Sequence, residues 1–89
     1  MFPIITDFIP DSADESVSLE QLSVATGLSP REVKREVLQA RIAGALILSS
    51  EHGYWMAENA DQVRDYVTRR RAYLKTAMAA LQPFIRAVK

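Results

Sequence analysis

Two helix-start signatures lie eleven residues apart, with a single glycine between them. Ser18 is followed three residues later by Gln21, and Ser29 by Glu32; Pro30 sits at the first helical position of the second segment and Gly27 lies just before it. In a Ser-x-x-Gln/Glu box the serine oxygen accepts from one free N–H of the helix start and the longer side chain accepts from another. Proline suits the first helical position because it has no N–H to leave unpaired. Glycine at the end of the first segment takes a left-handed backbone cheaply. Residues 18–44 therefore predict two short helices joined by a tight turn. Leu19, Leu22 and Thr26 point inward from the first helix. Val33, Val37 and Ala40 do so from the second, which Gly44 ends.

After Gly44 the period changes. Residues 45–49 are apolar with a β-branched Ile47, residues 54–57 begin with two aromatics, and Ser50-Glu51-His52-Gly53 between them is turn-like. That pattern predicts a hairpin with a loop of about four residues. One of Tyr54 and Trp55 faces the core, because side chains alternate along a strand, and the other is left open. Upstream, residues 3–9 predict one or two helical turns with Ile5, Phe8 and Ile9 on one side, stopped by Pro10. Residues 11–16 read as an acidic loop, and Val17-Ser18 as a minimal strand beside the hairpin.

Asn59 opens the last element, with Gln62 making a third box. Val63, Val67, Arg70, Leu74, Ala77, Leu81, Phe84 and Val88 then alternate steps of four and three, a heptad-like seam with one charged member. Tyr66, Tyr73, Met78 and Ile85 widen it. Pro83 predicts a kink or an end near residues 79–82. A helix of nearly thirty residues measures about 40 Å at 1.5 Å per residue, which overhangs a domain of this size. The overhang implies a homodimer through Leu74, Ala77, Met78, Leu81, Phe84 and Ile85. The competing arrangement folds the segment after Pro83 back onto Phe2, Ile5 and Phe8.

With 89 residues and no cysteine, the chain is one small domain without disulfides or thiolate metal sites. Residues 1–58 form its body and residues 59–89 its packing and dimerisation helix. Its longest apolar run is too short to span a bilayer, and no basic residue precedes Arg31, so neither a membrane anchor nor a secretory leader is expected and a cytoplasmic location follows. Net charge is zero, which disfavours strong non-specific binding to nucleic acid. Yet residues 1–28 carry five acids and no base, whereas residues 29–89 carry all eleven bases and six acids. The segregation leaves room for a basic face.

Enzymatic chemistry finds no support. The one histidine, His52, sits on a turn beside Ser49, Ser50 and Glu51, and adjacent turn residues do not converge into a triad. The three glycines are too far apart for a phosphate loop. Asp11, Asp14 and Glu15 lack calcium-loop spacing. No catalytic residue, metal site or cofactor is expected.

Leu22, Gly27, Leu28, Val33, Val37, Gly44 and the Gly53-Tyr54-Trp55 strand, at this spacing, resemble the winged helix-turn-helix of bacterial and phage regulators. The layout is similar to the biotin operon repressor's N-terminal domain and to DeoR-type repressors. Arg31-Glu32-Val33-Lys34-Arg35 resembles the start of a recognition helix, and Glu58-Asn59 the start of the last helix in small phage and prophage proteins. The resemblance covers a little under half of the chain. It implies a mostly α (α+β) fold, a winged helix-turn-helix with a long C-terminal helix, and sequence-specific binding of double-stranded DNA by a small transcriptional regulator of phage or prophage type. Residues 29–41 would enter a major groove. Arg31, Lys34, Arg35, Gln39 and Arg41, with Leu38, would meet bases and phosphates, and Ser29 with the N–H groups at the helix start would hold a phosphate. The wing tip has no Lys or Arg, and Glu32 and Glu36 interrupt the basic helix. Those departures fit two alternatives: a winged-helix adaptor for protein partners, or an accessory factor in phage replication or packaging. Arg69, Arg70 and Arg71, with Arg64 and Lys75, form a second basic cluster, but three consecutive residues span most of a helix's circumference and cannot share one partner. Arg70, on the seam, either snorkels, pairs with Glu20 or Asp7, or marks an opening.

Overall fold

The computed structural model describes residues 4–88. A 3-10 turn at Ile5–Phe8 and another at Ala13–Glu15 precede helix α1 (Leu19–Thr26) and helix α2 (Pro30–Ile42). A hairpin of strands β1 (Ile47–Ser50) and β2 (Gly53–Met56) comes next, and helix α3 (Ala60–Ala87) ends the chain. The protein is thus mostly helical with one two-stranded antiparallel sheet.

Both serine boxes form as expected. The Ser18 hydroxyl accepts from the Gln21 N–H and the Gln21 side chain from the Ser18 N–H; Ser29 and Glu32 repeat the arrangement. Gly27 adopts φ +75°, turning α2 away from α1. Thr26 reinforces the corner: its hydroxyl donates to the Leu22 carbonyl and accepts from the Leu28 N–H. At the far end of α2 the Ala45 N–H donates to the Ala40 carbonyl and the Gly44 N–H to that of Arg41, with Gly44 at φ +108°. This is a Schellman motif, which pairs carbonyls a helix end otherwise leaves free. Helix α2 is therefore stopped at both ends by its own sequence.

The core gathers Ile5, Ile9, Leu22, Val33, Val37 and Ile47, with Tyr54 and Met56 packed against it. Val33 is 0% and Val37 2% exposed, so α2 turns its β-branched stripe fully inward. Phe8, expected beside Ile5 and Ile9, stays exposed, and residues 11–16 contain the second 3-10 turn where a plain loop was expected. Phe2 and Pro3 lie outside the described residues.

The hairpin is tighter than its letters suggest. Leu48 pairs with Trp55 and Ser50 with Gly53, leaving only Glu51 and His52 in the turn. Leu48 and Trp55 are both buried on the face away from the Ile47 core. Neither aromatic is left open: Trp55 fills the second face and Tyr54 leans on the first. Val17 completes the edge, exchanging both backbone hydrogen bonds with Tyr54 at 3.0 and 2.7 Å. At Gly53, φ +131°, a Cβ would overlap the Val17 carbonyl.

Helix α3 departs furthest from expectation. It runs unbroken through Pro83. By helical geometry Pro83 falls on the side opposite the apolar seam, where water reaches the Ala79 carbonyl that its ring leaves unpaired. The segment after Pro83 does not fold back, and Phe84 is 70% exposed. At its start, Asn59 accepts from the Gln62 N–H, but Gln62 closes the box one residue early, accepting from Glu58 N–H and from the Trp55 indole.

Replacing Gly53 with alanine should destabilise the fold by more than about 1 kcal/mol, because backbone must move. Gly27→Ala has no neighbour to meet within 4 Å and should cost only the left-handed conformation, about 1–2 kcal/mol. Urea unfolding of the two variants checks the order; Gly53→Ala no less stable than wild type would contradict the close approach.

Candidate functional site

The inward stripe of α2 dictates an outward one. Arg31, Lys34, Arg35 and Leu38 follow i, i+3, i+4, i+7 spacing and so share one face over about 10 Å of helix. All four are exposed, as is Gln39. Among the described residues the ion pairs are His52–Glu51 and Arg64–Asp61. None involves Arg31, Lys34 or Arg35, so their charge is uncompensated by carboxylate contact. Glu36 is half-buried and turned toward a shallow groove lined also by Ile4, Ile5, Gln39 and Ala43. Leu38, 54% exposed, places an apolar contact among the cations.

Two of the residues expected at this face are engaged elsewhere. Ser29 is bound to Glu32 through both its hydroxyl and its N–H, at 3.2 and 3.1 Å. The Glu32 carboxylate thus sits at the helix start, where a phosphate would otherwise approach. The Ser29 N–H on the carboxylate first, and the Ser29 hydroxyl beside it second, hold the Glu32 carboxyl below the usual range; burial opposes them, and Arg35 adds a smaller attraction. Arg41 turns inward. Its Nε donates to the Ile47 carbonyl at 2.9 Å, its Nη2 to Ser49 Oγ at 3.2 Å, and its guanidinium lies 5.4 Å from the centre of the Tyr66 ring. It ties α2 to β1 and α3 rather than facing solvent with Arg35. Periodicity alone placed Arg41 outside; the strand carbonyl that draws it in becomes its neighbour only when the hairpin packs.

The second basic cluster is dispersed. Arg64 pairs with Asp61, and Arg70 lies over Tyr73 at 5.3 Å, not beside Glu20 or Asp7. Arg64, Arg71 and Lys75 share one flank of α3 by spacing, and Arg69 points elsewhere. The turn residues Glu51 and His52, 3.5 Å apart, are fully in solvent. Among the described residues no three His, Cys, Asp or Glu gather at metal-binding distance, and no helix is long and apolar enough to cross a membrane.

A short helix fixed at both ends that carries three unpaired cations, an amide and a leucine on one face is suited to an extended anionic or amphiphilic surface. It offers no cleft around a small substrate. The signal missed in the sequence was Gln62, read as a cap, which also receives the Trp55 indole at 3.2 Å and sets the take-off of α3. The chain matches no protein-family model, no characterised protein and no solved structure.

Arg41→Ala should lower stability by about 1–3 kcal/mol through two lost hydrogen bonds and the ring contact, whereas Arg35→Ala should change it by less than about 0.5 kcal/mol. Thermal unfolding separates them; equal effects would contradict the inward placement of Arg41. Because the folded pKa of Glu32 is depressed, the stability it lends the start of α2 is present above the ordinary carboxylate range and lost as pH falls through its folded value. Ser29→Ala keeps the N–H of residue 29 and removes only the hydroxyl, so the Glu32 titration, followed by NMR of its side-chain carboxyl, should move only part of the way up toward the ordinary range; an unmoved titration would show that the hydroxyl contributes nothing.

Proposed function

We propose that the chain is a winged helix-turn-helix protein that binds double-stranded DNA sequence-specifically, as a small transcriptional regulator of phage or prophage type, and acts as a homodimer through α3. Helix α2 is the recognition helix and the β1–β2 hairpin the wing. The observation that carries this reading is the outward face of α2, where Arg31, Lys34 and Arg35 stand exposed without a carboxylate partner. Arginine meets two guanine acceptors at once, glutamine two adenine groups, and an apolar side chain the thymine methyl, so Arg31, Arg35, Gln39 and Leu38 supply a set suited to base edges. Lys34 contributes a phosphate contact. Ser29 and Arg41 act indirectly, by fixing the ends of the helix. The capping carboxylate of Glu32 keeps phosphate away from the helix start, and Glu51 at the wing tip keeps the wing from the backbone. Net neutrality makes non-specific affinity low and leaves selectivity to α2.

A second reading draws on Leu38 and Ile42, exposed one turn apart on the same helix. They favour a protein-binding adaptor, with the arginines as a polar rim.

Titration of a labelled random duplex by fluorescence anisotropy at two salt concentrations discriminates the two. Affinity should fall steeply with salt, Lys34→Ala should lose about one phosphate-equivalent of salt dependence, and the Arg31→Ala/Arg35→Ala double variant should lose most of its binding. No binding at micromolar protein and low salt would reject the DNA reading in favour of the adaptor.

A further inference from the structure

We infer that α3 pairs with α3 of a second copy in antiparallel orientation, in the register that sets Val67 against Phe84, Arg70 against Leu81 and Leu74 against Ala77. This deepens the homodimer reading and rests on it. Beyond Tyr66 the described residues give the seam no partner within the chain: Val67, Leu74, Met78, Leu81, Phe84 and Val88 are all exposed. The ten residues 76–85 carry no charge. Apolar side chains of this size hide roughly 60–120 Å² each when buried. Two copies together therefore cover roughly 1,000 Å² or more, about what a specific interface needs.

Orientation follows from Arg70 and from side-chain size. A parallel, in-register pair stacks Arg70 on Arg70 in one core layer and brings both 69–71 arginine runs together, a like-charge contact with no acid at hand. The antiparallel pair sets the two Arg70 residues eleven positions apart along the axis, roughly 16 Å. Each stem lies along a leucine, and the guanidinium is already turned aside over Tyr73. The acidic start of each helix, with Asp61 and Asp65, lies at the same end as Arg86 of the second copy, and the two helix dipoles oppose. Sizes alternate across the seam, leucine facing alanine at the centre and valine facing phenylalanine outside it. Tyr66 and Tyr73 flank the positions of Ala87 and Ala80, leaving room for the rings.

The same register carries Phe84 and Val88 of the second copy to the shallow apolar groove that Leu46, Ala57, Ala60 and Val63 form where α3 leaves the body. The two Val63 positions are then 25 residues of helix apart, about 38 Å.

The chain lacks cysteine, so engineered thiols report the pairing directly and without DNA. Val67→Cys and Phe84→Cys, each at an exposed position, are mixed and oxidised, and the mass of the wild-type chain is read by sedimentation equilibrium. A dimeric mass with V67C linked to F84C, and little V67C–V67C or F84C–F84C product, is the expected result. Arg70→Cys mixed with Leu81→Cys gives a second pair should the first lose association. Self-linked products overturn the antiparallel register and leave the homodimer standing. A dimer with neither kind of link from either pair of variants overturns the stated register and leaves the homodimer standing. A monomeric mass at tens of micromolar overturns both the inference and the homodimer, and leaves the stripe to a different protein or to a lipid surface; DNA binding is read separately by the anisotropy titration.

Discussion

Burial of Val33 and Val37 to essentially zero exposure locks the rotation of α2 about its axis. Two β-branched side chains one turn apart cannot both stay in the core if the helix rolls by even a few tens of degrees. The capping box below them and the Schellman turn above them prevent the helix from sliding or lengthening to compensate. Every other property of the outward face depends on that lock. Arg31, Lys34, Arg35 and Leu38 are exposed because they occupy the opposite stripe, and they are presented from a rigid element instead of a loop. A site built this way holds its side-chain bases in place while the long side chains remain free to adapt.

The hairpin does more than its eight paired residues suggest. It covers the α1–α2 core with Ile47, Tyr54 and Met56, and with Leu48 and Trp55 it creates a second apolar face. Arg41 and Gln62 each tie this sheet to a neighbouring helix. Arg41 reaches from α2 to the β1 backbone and the Tyr66 ring; Gln62 joins the Trp55 indole to the first turn of α3. The body and the long helix are thereby coupled by polar contacts. A side chain that looks like one more cation of the outward set proves to be a strut.

Helix α3 shows the opposite economy. Its first two turns are held, and the remainder extends from the body with its apolar stripe uncovered, giving a molecule 45 Å long. A stripe of that length is costly to leave in water. The proposed function and the proposed pairing meet here: a recognition helix of modest charge gains affinity and symmetry when a second copy is joined at a defined separation.

The local features were legible in the letters because they depend on short-range chemistry. The three helix starts, the Gly27 and Gly44 turns and the inward stripe of α2 follow from capping, left-handed glycine and periodicity within a few residues. So does the exposure of Arg31, Lys34, Arg35 and Gln39. What only the tertiary structure decided involves partners distant in sequence or a choice between two permitted outcomes. Arg41 turned inward because the Ile47 carbonyl came within reach. Ser29 was closed off because Glu32 completed the box that its own spacing announced. Trp55 and Tyr54 were both covered because the sheet acquired two packed faces. Pro83 stayed helical on the exposed side of α3, where water can pair the Ala79 carbonyl. Local sequence sets which backbone groups and side chains prefer to pair; which of them find a partner is settled by what packing brings alongside.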